Sequence, residues 1–125
     1  MNTSKHVAAL LLANASKKRP SVGRGTRKKP TDEMNKTEAA YAMYLLGRAD
    51  VEWFAFEPIK LQLAKRTWYT PDFLVLLTDG SLEIHEVKGH WEDDARVKIK
   101  VAAQMFPFRF LAVKKDGNNW SFETL

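Results

Sequence analysis

The chain has no cysteine, which excludes disulfides, thiol nucleophiles and cysteine-ligated zinc. Its three histidines, His6, His85 and His90, are too scattered along the sequence to form a metal-ligand cluster. No apolar run is long enough to span a membrane. The short run Val7 to Ala13 leads into Ala13-Asn14-Ala15, which has the small-residue spacing of an export cleavage site, but Lys17-Lys18-Arg19 follows almost at once. A short amphipathic or frayed helix is the expectation there. A glycine-rich phosphate loop, a serine-centred elbow and internal repeats are also missing. Finally, the first 30 residues contain no acid.

That last absence divides the chain. Residues 1–30 carry eight Lys or Arg and no Asp or Glu, whereas the other 95 carry twelve bases and fifteen acids, so the net charge of +5 conceals +8 on one part and −3 on the other. Residues 17–30 are rich in Gly, Pro and charge with little to bury, and a flexible arm that orders on meeting phosphate is expected. Its Lys17, Lys18, Arg19, Arg24, Arg27, Lys28 and Lys29 are candidate polyanion contacts; their two clusters also imitate a bipartite nuclear signal. Residues 31–125 are long enough for one domain with one core. Because that part is mildly acidic, the arm, metal ions or a partner must supply any attraction for a polyanion.

The segment Thr31 to Gly47 reads as a helix, capped by Thr31 or Asn35 and ended at Gly47. Val51 to Phe56 is a strand before Pro58, and Ile59 to Ala64 is either its bent continuation or one arm of a hairpin leading to Tyr69. Phe73 to Leu77 and Leu82 to Lys88 are strands around an Asp79-Gly80 turn. A helix opens at Asp93 or Asp94 and runs to about Met105, stopped by Pro107. Ala95, Ile99, Ala102 and Phe106 form its core stripe, widened by Val101 and Met105; Lys98 falls inside that arc and must either snorkel out or find an anion. Phe108 to Val113 is a last core strand, and Lys114 to Asn119 turns back into an edge strand through Trp120 and Phe122.

The hairpin register decides the chemistry. With a three-residue loop, Thr78-Asp79-Gly80, and Gly80 in the left-handed conformation, Asp72 falls opposite Glu86, and one face reads Leu76/Leu82, Leu74/Ile84, Asp72/Glu86, ending at Lys88. A two-residue loop would send Asp72 to the other face, so the paired arrangement requires the odd loop or a bulge. Two carboxylates across a strand pair offer hard oxygen ligands to Mg²⁺ or Mn²⁺, and a lysine on the same face can offset charge on a phosphoryl group. The plainer alternative is a turn aspartate and a surface Glu86–Lys88 pair, of small energetic worth.

This pattern, Pro71-Asp72 followed by Glu86-Val87-Lys88, resembles the PD-(D/E)XK nuclease superfamily, with both halves present unaltered. The likeness covers about residues 32–115 and is strongest to a small phage-encoded branch, more distantly to the junction-resolving endonucleases of tailed phages. It implies a restriction-endonuclease-like αβββαβ core, an α/β (α+β) fold with a mixed central sheet flanked by helices. It further implies catalytic Asp72, Glu86 and Lys88, with Mg²⁺ (Mn²⁺ able to substitute) held by Asp72, Glu86 and the backbone carbonyl of Val87. Glu38, a carboxylate on the otherwise apolar Tyr41, Ala42, Leu45 side of the first helix, is the candidate helix acid, reaching the metal through water; its spacing from Asn35 equally suits a capping box.

The expectation is therefore a metal-dependent DNA endonuclease acting on branched DNA such as Holliday junctions in phage recombination, repair or packaging, as a homodimer in the bacterial cytoplasm. Arg96, Lys98 and Lys100 would join the arm in contacting DNA, and phage or host replication and recombination proteins are possible partners. The competing readings are a nicking or restriction-like nuclease acting with partner proteins, a non-catalytic nucleic-acid-binding module, and a basic-armed interaction module with no nucleic-acid role.

Overall fold

The computed structural model describes residues 34–89 and 93–125. The basic arm and its candidate contacts, Lys17 to Lys29, lie outside the described residues, as does His90. The order of elements is α1 (Lys36–Gly47), β1 (Val51–Phe56), β2 (Leu61–Ala64), β3 (Thr67–Tyr69), β4 (Phe73–Leu77), β5 (Leu82–Lys88), α2 (Asp93–Met105), β6 (Arg109–Asp116) and β7 (Asn119–Thr124). Five strands make one mixed sheet in the order β1-β4-β5-β6-β7, and β2 and β3 form a separate two-stranded hairpin. Among the described strands only β5 and β6 run parallel, joined by the α2 crossover; the other neighbours are antiparallel. Among the described residues the fold is thus α+β, with a mixed sheet and two helices, as the sequence implies. Among the described residues no helix is long and apolar enough to cross a membrane.

Helix α1 starts where Asn35 can serve its free N–H groups: the Asn35 side chain accepts from Glu38 N–H while Glu38 Oε1 accepts from Asn35 N–H, both at 2.8 Å. Its buried side, Tyr41, Ala42 and Leu45, packs on Val51, Phe54, Phe73, Val75, Val87, Leu111 and Val113. Val51 and Phe54, three residues apart, would face opposite ways in a regular strand. A register shift between Val51 and Trp53 brings both into this core.

On the other face of the sheet, Ile99 and Ala102 of α2 meet Ile84, Phe110, Leu61 and Tyr69. The α2 stripe of Ala95, Ile99, Ala102 and Phe106 is turned inward, but the expected widening is not found: Val101 is 38% exposed and Met105 50%. The β2–β3 hairpin, which resolves the choice left open before Tyr69, fills that side instead.

Strand β5 is the middle strand, and burial runs unbroken from Glu83 to Val87. With α1 packed on one face of the sheet, the α2 crossover on the other, and β4 and β6 at its edges, β5 is covered on all sides and the polar residues alternating along it are enclosed. Three of the molecule's buried ionisable groups, Glu83, His85 and Glu86, lie on this one strand.

Candidate active site

Thr78-Asp79-Gly80 forms the loop between β4 and β5. Gly80 has φ +89, a conformation that costs glycine nothing, its N–H returns to Leu77 O, and Leu77 N–H donates to Ser81 O at 2.9 Å. Pairing follows as Leu76↔Leu82, Leu74↔Ile84 and Phe73↔His85. One step further sets Asp72 across from Glu86, on the face of Leu74 and Ile84.

The backbone ladder ends at that step. Pro71 has no N–H to give, and the carboxylates take over as acceptors: Val87 N–H donates to Asp72 Oδ2 at 2.8 Å and Asp72 N–H to Glu86 Oε2 at 3.2 Å. The Tyr69 hydroxyl, arriving from β3, also donates to Glu86 Oε2 at 2.5 Å. Each carboxylate is thereby held by one oxygen. Asp72 Oδ1 receives no hydrogen bond among the described residues, and Glu86 Oε1 faces the Lys88 ammonium at 3.5 Å.

The electrostatics are those of too much negative charge in too little water. Asp72 and Glu86 are 5% and 6% exposed. Burial, then the neighbouring Glu86, pushes the Asp72 carboxyl far above the ordinary carboxylate range, with Lys88 and the Val87 N–H pulling the other way. Burial likewise raises Glu86 against the opposing Tyr69 hydroxyl, Lys88 and Asp72 N–H. Burial works against the charged form of Lys88, but Asp72, Glu86 and Glu38 outweigh it and hold the ammonium above its usual value. The site as built holds two carboxylates against one ammonium, and one further positive charge would satisfy it.

Glu38 is buried, is locked into the α1 capping box, and bears electrostatically on both Asp72 and Lys88. The two readings of Glu38 are therefore compatible in place. Among the described residues no group of three His, Asp or Glu side chains gathers as a ready ligand set. A pair of carboxylates with one free or cation-facing oxygen each still suits Mg²⁺, which keeps waters and substrate phosphate oxygens in its shell. Val87 meets the pair through its N–H.

The remaining predicted residues are dispersed. Lys98 is exposed and reaches the backbone carbonyl of Trp68 at 3.5 Å, so it snorkels along the β2–β3 hairpin. Arg96 is held by both oxygens of Glu123 at 3.1 Å, and Lys100 is exposed.

Two polar features escaped the sequence reading. Tyr69 comes from a hairpin outside the main sheet, and its only signal was a tyrosine standing three residues before Asp72. On the opposite face of β5, His85 is fully buried: Tyr41 O–H donates to its Nδ1 at 2.6 Å, and its Nε2–H donates to Glu83 Oε1 at 2.9 Å, with Arg109 on Glu83 Oε2 at 3.3 Å. It is a connected member of a network rather than an isolated strand residue.

No family profile, curated protein or solved structure matches this chain.

Proposed function

We propose that this chain is a divalent-metal-dependent DNA endonuclease. One observation carries the reading: two buried carboxylates are brought together at the end of a hairpin, each with one oxygen tied to the protein, beside a lysine held in its charged form. A stability role alone is a poor account of that cluster, since burying two like charges costs the fold and an apolar pair would not.

Asp72 and Glu86 would hold the ion, with Glu38 adding negative field from the α1 cap. When bound, Mg²⁺ supplies Lewis acidity toward a phosphoryl oxygen. The protein's own groups then have defined tasks. Tyr69 and the Asp72 N–H fix the rotamer of Glu86, the Val87 N–H fixes Asp72, and Lys88 offsets charge that builds on the phosphate as the bond to the leaving oxygen breaks.

Branched DNA is the proposed substrate, cut by a homodimer because two strands need two sites, in the cytoplasm of a phage-infected bacterium; this part rests on the resemblance of Pro71-Asp72 and Glu86-Val87-Lys88 to the PD-(D/E)XK superfamily. The test is to incubate the purified chain with a four-way junction, a linear duplex, single-stranded DNA and RNA, each with Mg²⁺ or with chelator. Metal-dependent cutting of DNA, greatest on the junction, is the expected result. Binding without cutting would instead favour a nucleic-acid-binding module.

A further inference from the structure

The β2–β3 hairpin has two unlike sides. Leu61 and Tyr69 are buried against α2, and Tyr69 ends on Glu86. Alternation sends the neighbouring residues outward: Trp68 is 47% exposed, paired across the hairpin with exposed Gln62, and Lys60 is exposed in the same phase. Lys65 and Arg66, both exposed, make the turn, with Arg66 at φ +60. Lys98 adds its ammonium to the Trp68 carbonyl from α2.

Three observations set this surface apart. Residues 58–70 contain three cations and no acid, within a domain where acids outnumber bases. Among the described residues Arg48, Arg96 and Arg109 each carry a carboxylate partner, whereas Arg66 has none. Trp53 and Trp120 pack against the α1-side core, while the Trp68 ring is half open to water with nothing apolar to gain. A flat aromatic ring set among unpaired cations complements a strand whose bases are free to stack and whose phosphates need neutralising.

We propose that the outer face of the β2–β3 hairpin binds an unpaired DNA strand, with a base stacked on Trp68 and phosphates on Lys60, Lys65, Arg66 and Lys98. The face rests on the nuclease reading for its purpose: Trp68 is the immediate neighbour of Tyr69, whose hydroxyl donates to the Glu86 carboxylate, so the hairpin leads the strand to the site. Duplex DNA keeps its bases stacked inside and offers the ring nothing.

The experiment measures binding of the full chain, in chelator, to a labelled single-stranded oligonucleotide, its duplex and the RNA of the same sequence, over a range of salt. Trp68→Ala should weaken single-strand binding about tenfold with little change in salt slope, and Trp68→Phe should retain most of the affinity. Replacing Lys65 and Arg66 together by alanine should lower the slope by roughly one to two units. Wild-type affinity in Trp68→Ala overturns the proposal, as does tighter binding of the duplex or of RNA. Should Trp68→Ala melt early, the double variant decides, and an unchanged slope there overturns the proposal. Adding Mg²⁺ to the wild type separates the two readings: Trp68-dependent binding without cleavage removes the nuclease function and leaves the strand-binding face, whereas cleavage with no dependence on Trp68 does the reverse.

Discussion

The two faces of β5 carry buried polar clusters of similar size and opposite design. On the α1 side, Tyr41, His85, Glu83 and Arg109 form a chain in which each polar group meets its complement: hydroxyl to ring nitrogen, ring N–H to carboxylate, carboxylate to guanidinium. Glu83 is held below its usual range by the His85 hydrogen bond, against the pull of burial. On the α2 side, Asp72 and Glu86 are pushed above theirs. One strand thus shows how a fold encloses charge for stability and how it encloses charge at a cost, and the costly cluster is where chemistry is to be sought.

The largest expected difference comes from removing one charge on each side. Asp72→Asn should abolish metal-dependent cleavage, by on the order of 10²–10³-fold, because an amide cannot ligate a hard cation as a carboxylate does. The same change should stabilise the metal-free protein by on the order of 2 kcal/mol at neutral pH, as it relieves a buried like-charge pair. Glu83→Ala should do the reverse, costing roughly 1–3 kcal/mol by leaving the buried His85 N–H without its acceptor. Thermal and denaturant melts of both variants read the two signs directly. Matching losses of stability would show that the two clusters are alike after all.

Next in size is the pH response, in which the faces pull apart. A carboxyl raised in the folded state binds a proton there more tightly than in the unfolded chain, so the Asp72 side should lose stability as pH climbs from the ordinary Asp value, about 4, through the raised one. Burial, opposed by Glu83, depresses His85, which favours the neutral ring when folded; that side should lose stability as pH falls below the ordinary His value of about 6.5. Between those values the slopes oppose each other, and above about 6.5 only the slope of the Asp72–Glu86 pair should remain. Urea melts across this range should therefore show a fall on the alkaline limb that Asp72→Asn flattens and Mg²⁺ reduces. An alkaline limb unchanged by both would remove the strain attributed to the carboxylate pair.

Much of this site was legible because local chemistry fixed it. Thr78-Asp79-Gly80 specifies a three-residue turn through one glycine at positive φ, and the alternation of side chains carries that register to Asp72 and Glu86 without reference to the rest of the fold. Asn35 and Glu38 specified the start of α1 in the same local way. What stayed hidden depends on neighbours distant in sequence. Glu83 and His85 alternate with Leu82 and Ile84 as on a half-wet strand, and only the central place of β5, with β4 and β6 beside it, encloses them. Val101 and Met105 fit the apolar arc of α2 by spacing, but the sheet and the small hairpin do not reach that flank. Tyr69 joins the site through the packing of β2 and β3 on α2, which no periodicity encodes.

Tyr69 also gives the smallest and sharpest test of the contrast, because it is the one hydroxyl that the strained face uses as the satisfied face uses Tyr41. Both phenols are raised well above their normal value, by burial first and, at Tyr69, by the charge of Glu86 next; each is a donor throughout the working pH range. Tyr41→Phe removes the only donor given to His85 Nδ1 among the described residues, and should cost about 1–2 kcal/mol of stability. Tyr69→Phe removes one of two donors to Glu86 Oε2, leaving the Asp72 N–H in place. Its stability cost should be smaller, about 0.5–1 kcal/mol, since losing a donor also eases protonation of an over-charged pair. The main effect should fall on function: a freer Glu86 rotamer should lower kcat about tenfold and weaken Mn²⁺ binding to the uncut protein, with KM for DNA unchanged. Calorimetric titration of Mn²⁺ and single-turnover rates measure both quantities. A Tyr69→Phe protein that binds Mn²⁺ as tightly as the wild type would show that Glu86 is positioned by the Asp72 N–H alone.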